Sequence, residues 1–132
     1  MKRLLTLALI LGLFAGLQAE GDGGQYRLYG KAYDSTGIAL RHEVIMFIVR
    51  NDTIKIKTDS LGNFETKITW RTFDQTLMTK DTNVQEENEK MNPPIMVIWS
   101  NKLISIHNRW EEAQYASYKG NWVDRPHDLY FK

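Results

Sequence analysis

The chain contains no cysteine in 132 residues, and that one absence removes whole classes of chemistry. Disulfide stapling, thiol catalysis, a lipid anchor on cysteine, and cysteine-ligated zinc or iron–sulfur centres are all excluded. Proline is scarce, with three residues, and the nine glycines follow no period, so neither a proline-rich rod nor a collagen-like repeat is present. Neither sign of charge dominates: 17 Lys and Arg stand against 16 Asp and Glu, for a net charge of +1. Without a positive field the chain lacks the electrostatic footprint of a general nucleic-acid binder. What remains, 42% hydrophobic and 25% charged, is the composition of one ordinary globular domain.

Long apolar runs are few as well. Lys2 and Arg3 precede a stretch from Leu4 to Leu17 that is apolar except for Thr6, and the small residues Gly16 and Ala19 stand at its end. Its fourteen residues fall short of the ~20 that a membrane-spanning helix needs. A basic start, a short apolar centre and small residues at the exit are instead the features of a secretory signal. The sequence therefore predicts a signal peptide over residues 1–19, cut after Ala19, and a flexible linker over 20–25, where Glu20-Gly21-Asp22-Gly23-Gly24 is polar and glycine-rich. Cleavage leaves 113 of the 132 residues and, with Lys2 and Arg3 gone, a net charge of about −1. The product is expected to be exported, periplasmic or extracellular, with no membrane span after the signal.

Residues 26–132 read as a single domain of short strands separated by turns. Tyr26 to Tyr33 carries aromatics at 26, 29 and 33 and ends in Asp34-Ser35-Thr36-Gly37, where Asp bonds its own backbone and Gly accepts positive φ. Val44 to Val49 is apolar on both faces, as in the middle of a layered structure. After a turn at Arg50-Asn51-Asp52, Thr53 to Thr58 alternates isoleucine with lysine, one face buried and the other wet. A second turn, Asp59-Ser60-Leu61-Gly62-Asn63, leads into Phe64, Thr66, Ile68 and Trp70 alternating with charged and polar neighbours. Residues 79–94 are polar and unpatterned up to Pro93-Pro94, which predicts a mobile loop. Ile95 to Trp99 and Leu103 to Ile106 form a hairpin pattern, and Asp128 to Phe131 a last strand. Asn108 with Glu111 three residues later has capping-box spacing and predicts one short helix over 109–119. The fold expected is all-β, a seven-stranded antiparallel β-sandwich of immunoglobulin-like character.

The stretch Gly30-Lys31-Ala32-Tyr33-Asp34-Ser35-Thr36-Gly37-Ile38-Ala39-Leu40, then Ile45, Phe47 and Val49, then Thr58-Asp59-Ser60-Leu61-Gly62-Asn63-Phe64, resembles the carboxypeptidase regulatory-like domains. The resemblance covers residues 30–64, with Ala39 where that family has proline and His42-Glu43 where it has Gly-Ala. It implies a transthyretin-like sandwich, two Asp-Gly turns and an aromatic plug at Phe64. It also implies a non-catalytic role, since such domains serve as spacers, folding partners or binding modules of bacterial envelope and surface proteins. The transthyretin-like topology also hosts a hydrolase of purine chemistry that ends in Tyr-Arg-Gly-Ser. This chain ends Asp128-Leu129-Tyr130-Phe131-Lys132 instead.

Candidate chemistry is thin. His42, His107 and His127 are scattered and form no His-x-His or His-x-x-x-His pair, so their spacing does not support a metal site. The acidic run near Asp81 and Glu86 to Glu89 lacks the alternation and central glycine of a calcium loop. No Gly-x-Ser-x-Gly is present, and Asp124 and Asp128 read as solvated surface acids rather than a glycosidase pair. Lys55, Lys57 and Lys67 suggest a basic stripe or simply a charged strand face.

The aromatics Trp99, Trp110, Tyr115, Tyr118, Trp122 and Tyr130 all fall late in the chain. Exposed, they would stack on sugars or anchor a protein; buried, they are core. The expected function is an exported, non-catalytic module that binds a protein or glycan in the bacterial cell envelope through Trp110, Tyr115, Tyr118 and Trp122. No catalytic residue, metal or cofactor is assigned. The alternative is a small extracytoplasmic hydrolase or metal-binding protein with His107, Glu111 or His127 in its site. Association with a second copy is a third possibility.

Overall fold

Alternation of apolar and polar side chains becomes seven strands: β1 (Glu20–Tyr33), β2 (Val44–Val49), β3 (Asp52–Lys57), β4 (Asn63–Phe73), β5 (Ile95–Trp99), β6 (Lys102–Ile106) and β7 (Leu129–Tyr130). This computed structural model describes residues 20–119 and 125–132, and within them the side chains of 23–74, 76–115 and 125–132. The signal-peptide expectation for 1–19 lies outside the described residues. Among the described residues two α-helices accompany the strands, α1 (Val84–Met91) and α2 (Trp110–Lys119). The strands form two sheets, β4-β1-β7 and β3-β2-β5-β6.

The expectation of purely antiparallel strands is corrected at one place. β7 runs parallel to β1, with Ala32 opposite Leu129 and Tyr33 opposite Tyr130. A hairpin forces antiparallel pairing, but β7 is reached through α2, which leaves its direction free. The 20–25 stretch differs too, because it belongs to β1. Gly23 and Gly24 pair with Arg71 and Trp70 of β4. A Cβ on Gly23 would stand 2.2 Å from the Trp70 carbonyl oxygen, so the glycine there serves close approach rather than mobility.

Inward residues of the two sheets meet as one core. Tyr26, Leu28, Phe64 and Ile68 from one layer pack with Ile45, Phe47, Val49, Ile95 and Val97 from the other. The Phe47 and Phe64 rings lie 5.7 Å apart across the layers, which places Phe64 as the aromatic plug. Trp99 and Phe131 meet at 5.8 Å. Each such side chain withdrawn from water contributes about 1.5–3 kcal/mol before entropy is counted.

The two turns share one chemistry. Asp34 Oδ1 accepts from the Thr36 and Ile38 amides at 2.9 and 3.0 Å. Asp59 Oδ1 accepts from the Leu61 and Asn63 amides at 2.8 and 2.9 Å, with Gly62 at φ +86° completing the bend.

Where the pattern predicts a loop over 79–94, the chain forms α1. Asn83 caps it by accepting from the Glu86 amide at 3.1 Å. Its buried residues are asparagines, and they act as a substitute strand. Asn92 accepts from the Arg71 amide at 2.9 Å and donates to the Arg71 carbonyl at 2.7 Å, while Asn88 accepts from the Phe73 amide at 2.6 Å. Arg50 reaches the Thr69 carbonyl at 3.0 Å and its hydroxyl as well. The free edge of β4 is thus covered from 69 to 73, which blocks strand addition there. The α2 helix begins at Trp110. Asn108 does not cap it; its Oδ1 accepts instead from the buried Tyr26 hydroxyl at 3.1 Å.

Candidate functional site

β1 turns Tyr26, Leu28 and Ala32 inward, and the pleat therefore sends Arg27, Tyr29, Lys31 and Tyr33 to the outer face of its sheet. Register then sets their neighbours: Glu65 stands opposite Tyr29, Asn63 opposite Lys31, and Tyr130 opposite Tyr33. The Asp59 turn and Lys57 at the end of β3 close one side, and Pro126 and Asp128 the other. Between them lies a groove of about 720 Å³ open to solvent.

Its walls are held in place. The Tyr33 and Tyr130 rings stack at 5.2 Å with 11° between their planes. Tyr33 lines the groove and Tyr130 does not, so Tyr130 supports the Tyr33 ring from beside the groove. The Arg27 guanidinium lies 3.8 Å above the Tyr29 ring and donates to Glu65 at 3.1 Å. Asp128 accepts from the Lys31 amide at 2.9 Å. The half-buried Lys31 acts on Asp59 through its charge, and Lys57 is exposed at the end of β3.

Charge in the groove is fixed rather than poised for proton transfer. The Arg27 hydrogen bond holds the Glu65 carboxyl below its ordinary range. The Asn63 and Leu61 amides do the same for Asp59. Carboxylates stabilised in this way accept hydrogen bonds and are poor general acids, which need a raised pKa near neutrality. The arrangement can therefore grip hydroxyl groups and offer an aromatic wall.

Of the residues singled out from the sequence, Lys57 and Asp128 line the groove, and the other described ones lie elsewhere. Trp110 is corrected outright: it is 2% exposed, in the core with Ala113, because the first turn of α2 is driven against the end of the sandwich. Tyr115 is 66% exposed on α2. The Tyr118 side chain and Trp122 lie outside the described residues, as does Asp124. His42 is exposed in a turn at φ +53° and His107 is exposed after β6. His127 is half-buried, and burial, reinforced by Arg109 and Arg125, lowers its pKa. Glu111 bonds Gln85 of α1 at 3.1 Å. Among the described residues no three His, Asp or Glu side chains gather as metal ligands. Lys55 and Lys57 belong to one sheet and Lys67 to the outer face of the other, so they form no single stripe. Tyr29 and Tyr33 carry the groove, and strand parity was their signal: an odd spacing from inward Tyr26 puts both outside.

Fold and groove together define a mostly β, two-sheet protein with a polar, tyrosine-walled cleft on one outer face. Comparison with family models, with curated proteins and with solved structures gives no match.

Proposed function

We propose that the chain is an exported, non-catalytic β-sandwich module of the bacterial cell envelope that binds a glycan in this groove. The observation that carries the reading is the Tyr33 ring, stacked on Tyr130 and lining a cleft that offers both kinds of hydrogen-bonding partner. A sugar presents an apolar C–H face to an aromatic ring, and its hydroxyls donate to carboxylates and accept from ammonium groups. Asp59, Glu65 and Asp128 supply the acceptors, and Lys31 and Lys57 the donors. The two Asp-anchored turns and the buried Phe64 support an immunoglobulin-like or transthyretin-like plan of the carboxypeptidase regulatory-like kind. The lowered carboxylates weigh against the hydrolase alternative.

Titration calorimetry against a panel of soluble oligosaccharides, from peptidoglycan fragments to neutral and uronate-containing glycans, tests the binding. The expected result is at least one ligand with micromolar to millimolar affinity that Tyr33→Ala weakens. A panel with no binder, or a binder indifferent to both Tyr33→Ala and Lys57→Ala, overturns it. Amino-terminal sequencing of the protein recovered from an expressing bacterium tests export, with Glu20 as the expected first residue.

A further inference from the structure

The second sheet carries a surface of opposite character. Register places Ile45, Phe47 and Val49 of β2 in the core, so Val44, Met46 and Ile48 point outward, with Met96 and Ile98 of β5 directly beside them and Leu103 of β6 next. The other outward positions are Thr53, Lys55 and Lys57 on β3 and Ser105 on β6. Six of these ten positions are apolar and none is acidic. Val44 is 56% and Leu103 58% exposed. Helix α1 packs on β4 and α2 on β1, both strands of the other sheet.

We infer that this outer face is an interface between two copies of the chain. Its makeup, six apolar positions in ten and none acidic, has the apolar bias and depletion of charge that mark homodimer interfaces. The face holds no Trp, Tyr, Phe or Arg, the residues that anchor a heterologous partner or a membrane surface. It is one whole face of a four-stranded sheet, as suits sheet-on-sheet packing at about 10 Å. The outward lysines stand only on β3, a border strand, from which a long side chain can keep its ammonium group in water. A two-fold axis parallel to the strands and between β2 and β5 sets β3 of one copy over β6 of the other. Lys55 then meets Leu103 rather than its own like charge, and Thr53 meets Ser105. Four strands at ~4.8 Å and about five residues at ~3.4 Å give a plane of about 19 by 17 Å per copy. With side-chain relief, two such faces bury on the order of 1,000 Å², the floor for a specific interface and the size of a weak, reversible dimer.

Sedimentation velocity from about 1 μM to 1 mM, on protein purified from a bacterium that exports it, reads the equilibrium. A monomer–dimer transition is expected, weakened tenfold or more by Met46→Glu at the centre. Leu103→Glu, at a site already exposed and so no threat to folding, is expected to weaken it severalfold. Because the chain lacks cysteine, Met46→Cys introduces a single thiol whose alkylation slows as concentration rises through the transition. A monomer at every concentration overturns the inference, as does a dimer that ignores Leu103→Glu and leaves the thiol unprotected. Thiol protection of a monomer by anionic phosphatidylglycerol vesicles overturns it in favour of a lipid surface.

Discussion

The two sheets share one interior and differ in what they show to water. The β4-β1-β7 sheet turns tyrosines and charges outward, with its guanidinium and its carboxylates engaged by neighbouring side chains or amides. The β3-β2-β5-β6 sheet turns out valine, methionine, isoleucine and leucine, with lysine only at its border. Both faces belong to strands with equally apolar inner sides, so core formation does not explain the difference. A directional, hydrogen-bonding face suits a small polar ligand, and an aliphatic sheet face suits another sheet face. On the roles proposed above, the contrast sets a recognition surface against an association surface, with Lys57 at the margin of both.

The largest expected effect destroys both surfaces at once. Phe47 is fully buried against Phe64, and Phe47→Ala should cost about 3–5 kcal/mol, a large part of the ~5–15 kcal/mol that a domain of this size has. Denaturant unfolding should show the midpoint falling by that measure, with ligand binding and dimerisation lost together at mild denaturant. Loss of one without the other would mean the two sheets do not share a cooperative core.

Next comes a pH effect confined to the tyrosine-bearing layer. Burial, partly offset by the Arg109 amide, pushes the Tyr26 phenol up to about 12. The folded state thus prefers the neutral phenol more strongly than the unfolded chain, whose phenol titrates near 10. This stability is fully present below pH 10 and is lost as pH rises through 12, a fall of about 3 kcal/mol. Unfolding measured from pH 9 to 12 should slope downward more steeply for the native protein than for Tyr26→Phe. Parallel profiles would assign the titration to another group.

Asn92→Ala tests how the three-stranded sheet is kept from edge pairing. It removes both hydrogen bonds to the Arg71 backbone and should cost about 1–3 kcal/mol. Hydrogen exchange at the Arg71 amide should accelerate, and concentrated samples should aggregate through the opened β4 edge. The same substitution should leave the aliphatic face, and hence the dimer constant, unchanged. A shift in both would merge the surfaces that the comparison keeps apart.

What was legible follows from which forces are local. Strand β2 is apolar on both sides in sequence, and that pattern marks its place mid-sheet, yet it is silent on whether Val44, Met46 and Ile48 meet another layer or water. The turns at Asp34 and Asp59 were legible because each closes within five residues. Helix α1 was not, since Asn88 and Asn92 are buried by hydrogen bonds to a strand edge and hydrophobic periodicity cannot register them. The Asn83–Glu86 spacing was its one local sign. Trp110 shows the limit of counting aromatics by proximity, because its neighbours in the sequence are not its neighbours in the core. The groove depends on β7 lying beside β1, a pairing across nearly a hundred residues that no short window contains.

The smallest effects separate the wall of the groove from its support. Tyr33→Ala removes the ring that faces the ligand, and about tenfold in affinity is expected, near 1.4 kcal/mol, with little change in unfolding because Tyr33 lies on the outer face. Tyr130 touches the other side of that ring and does not line the cleft. Tyr130→Ala frees Tyr33 to leave its stacked rotamer, so the ligand meets the same ring less often, and about threefold is expected. Tyr130→Phe keeps the stacking surface and should bind as the native protein does. Equal losses for Tyr33→Ala and Tyr130→Ala, measured by calorimetry on one glycan, would mean that both rings touch the ligand and that the cleft extends across β7 to the sheet edge.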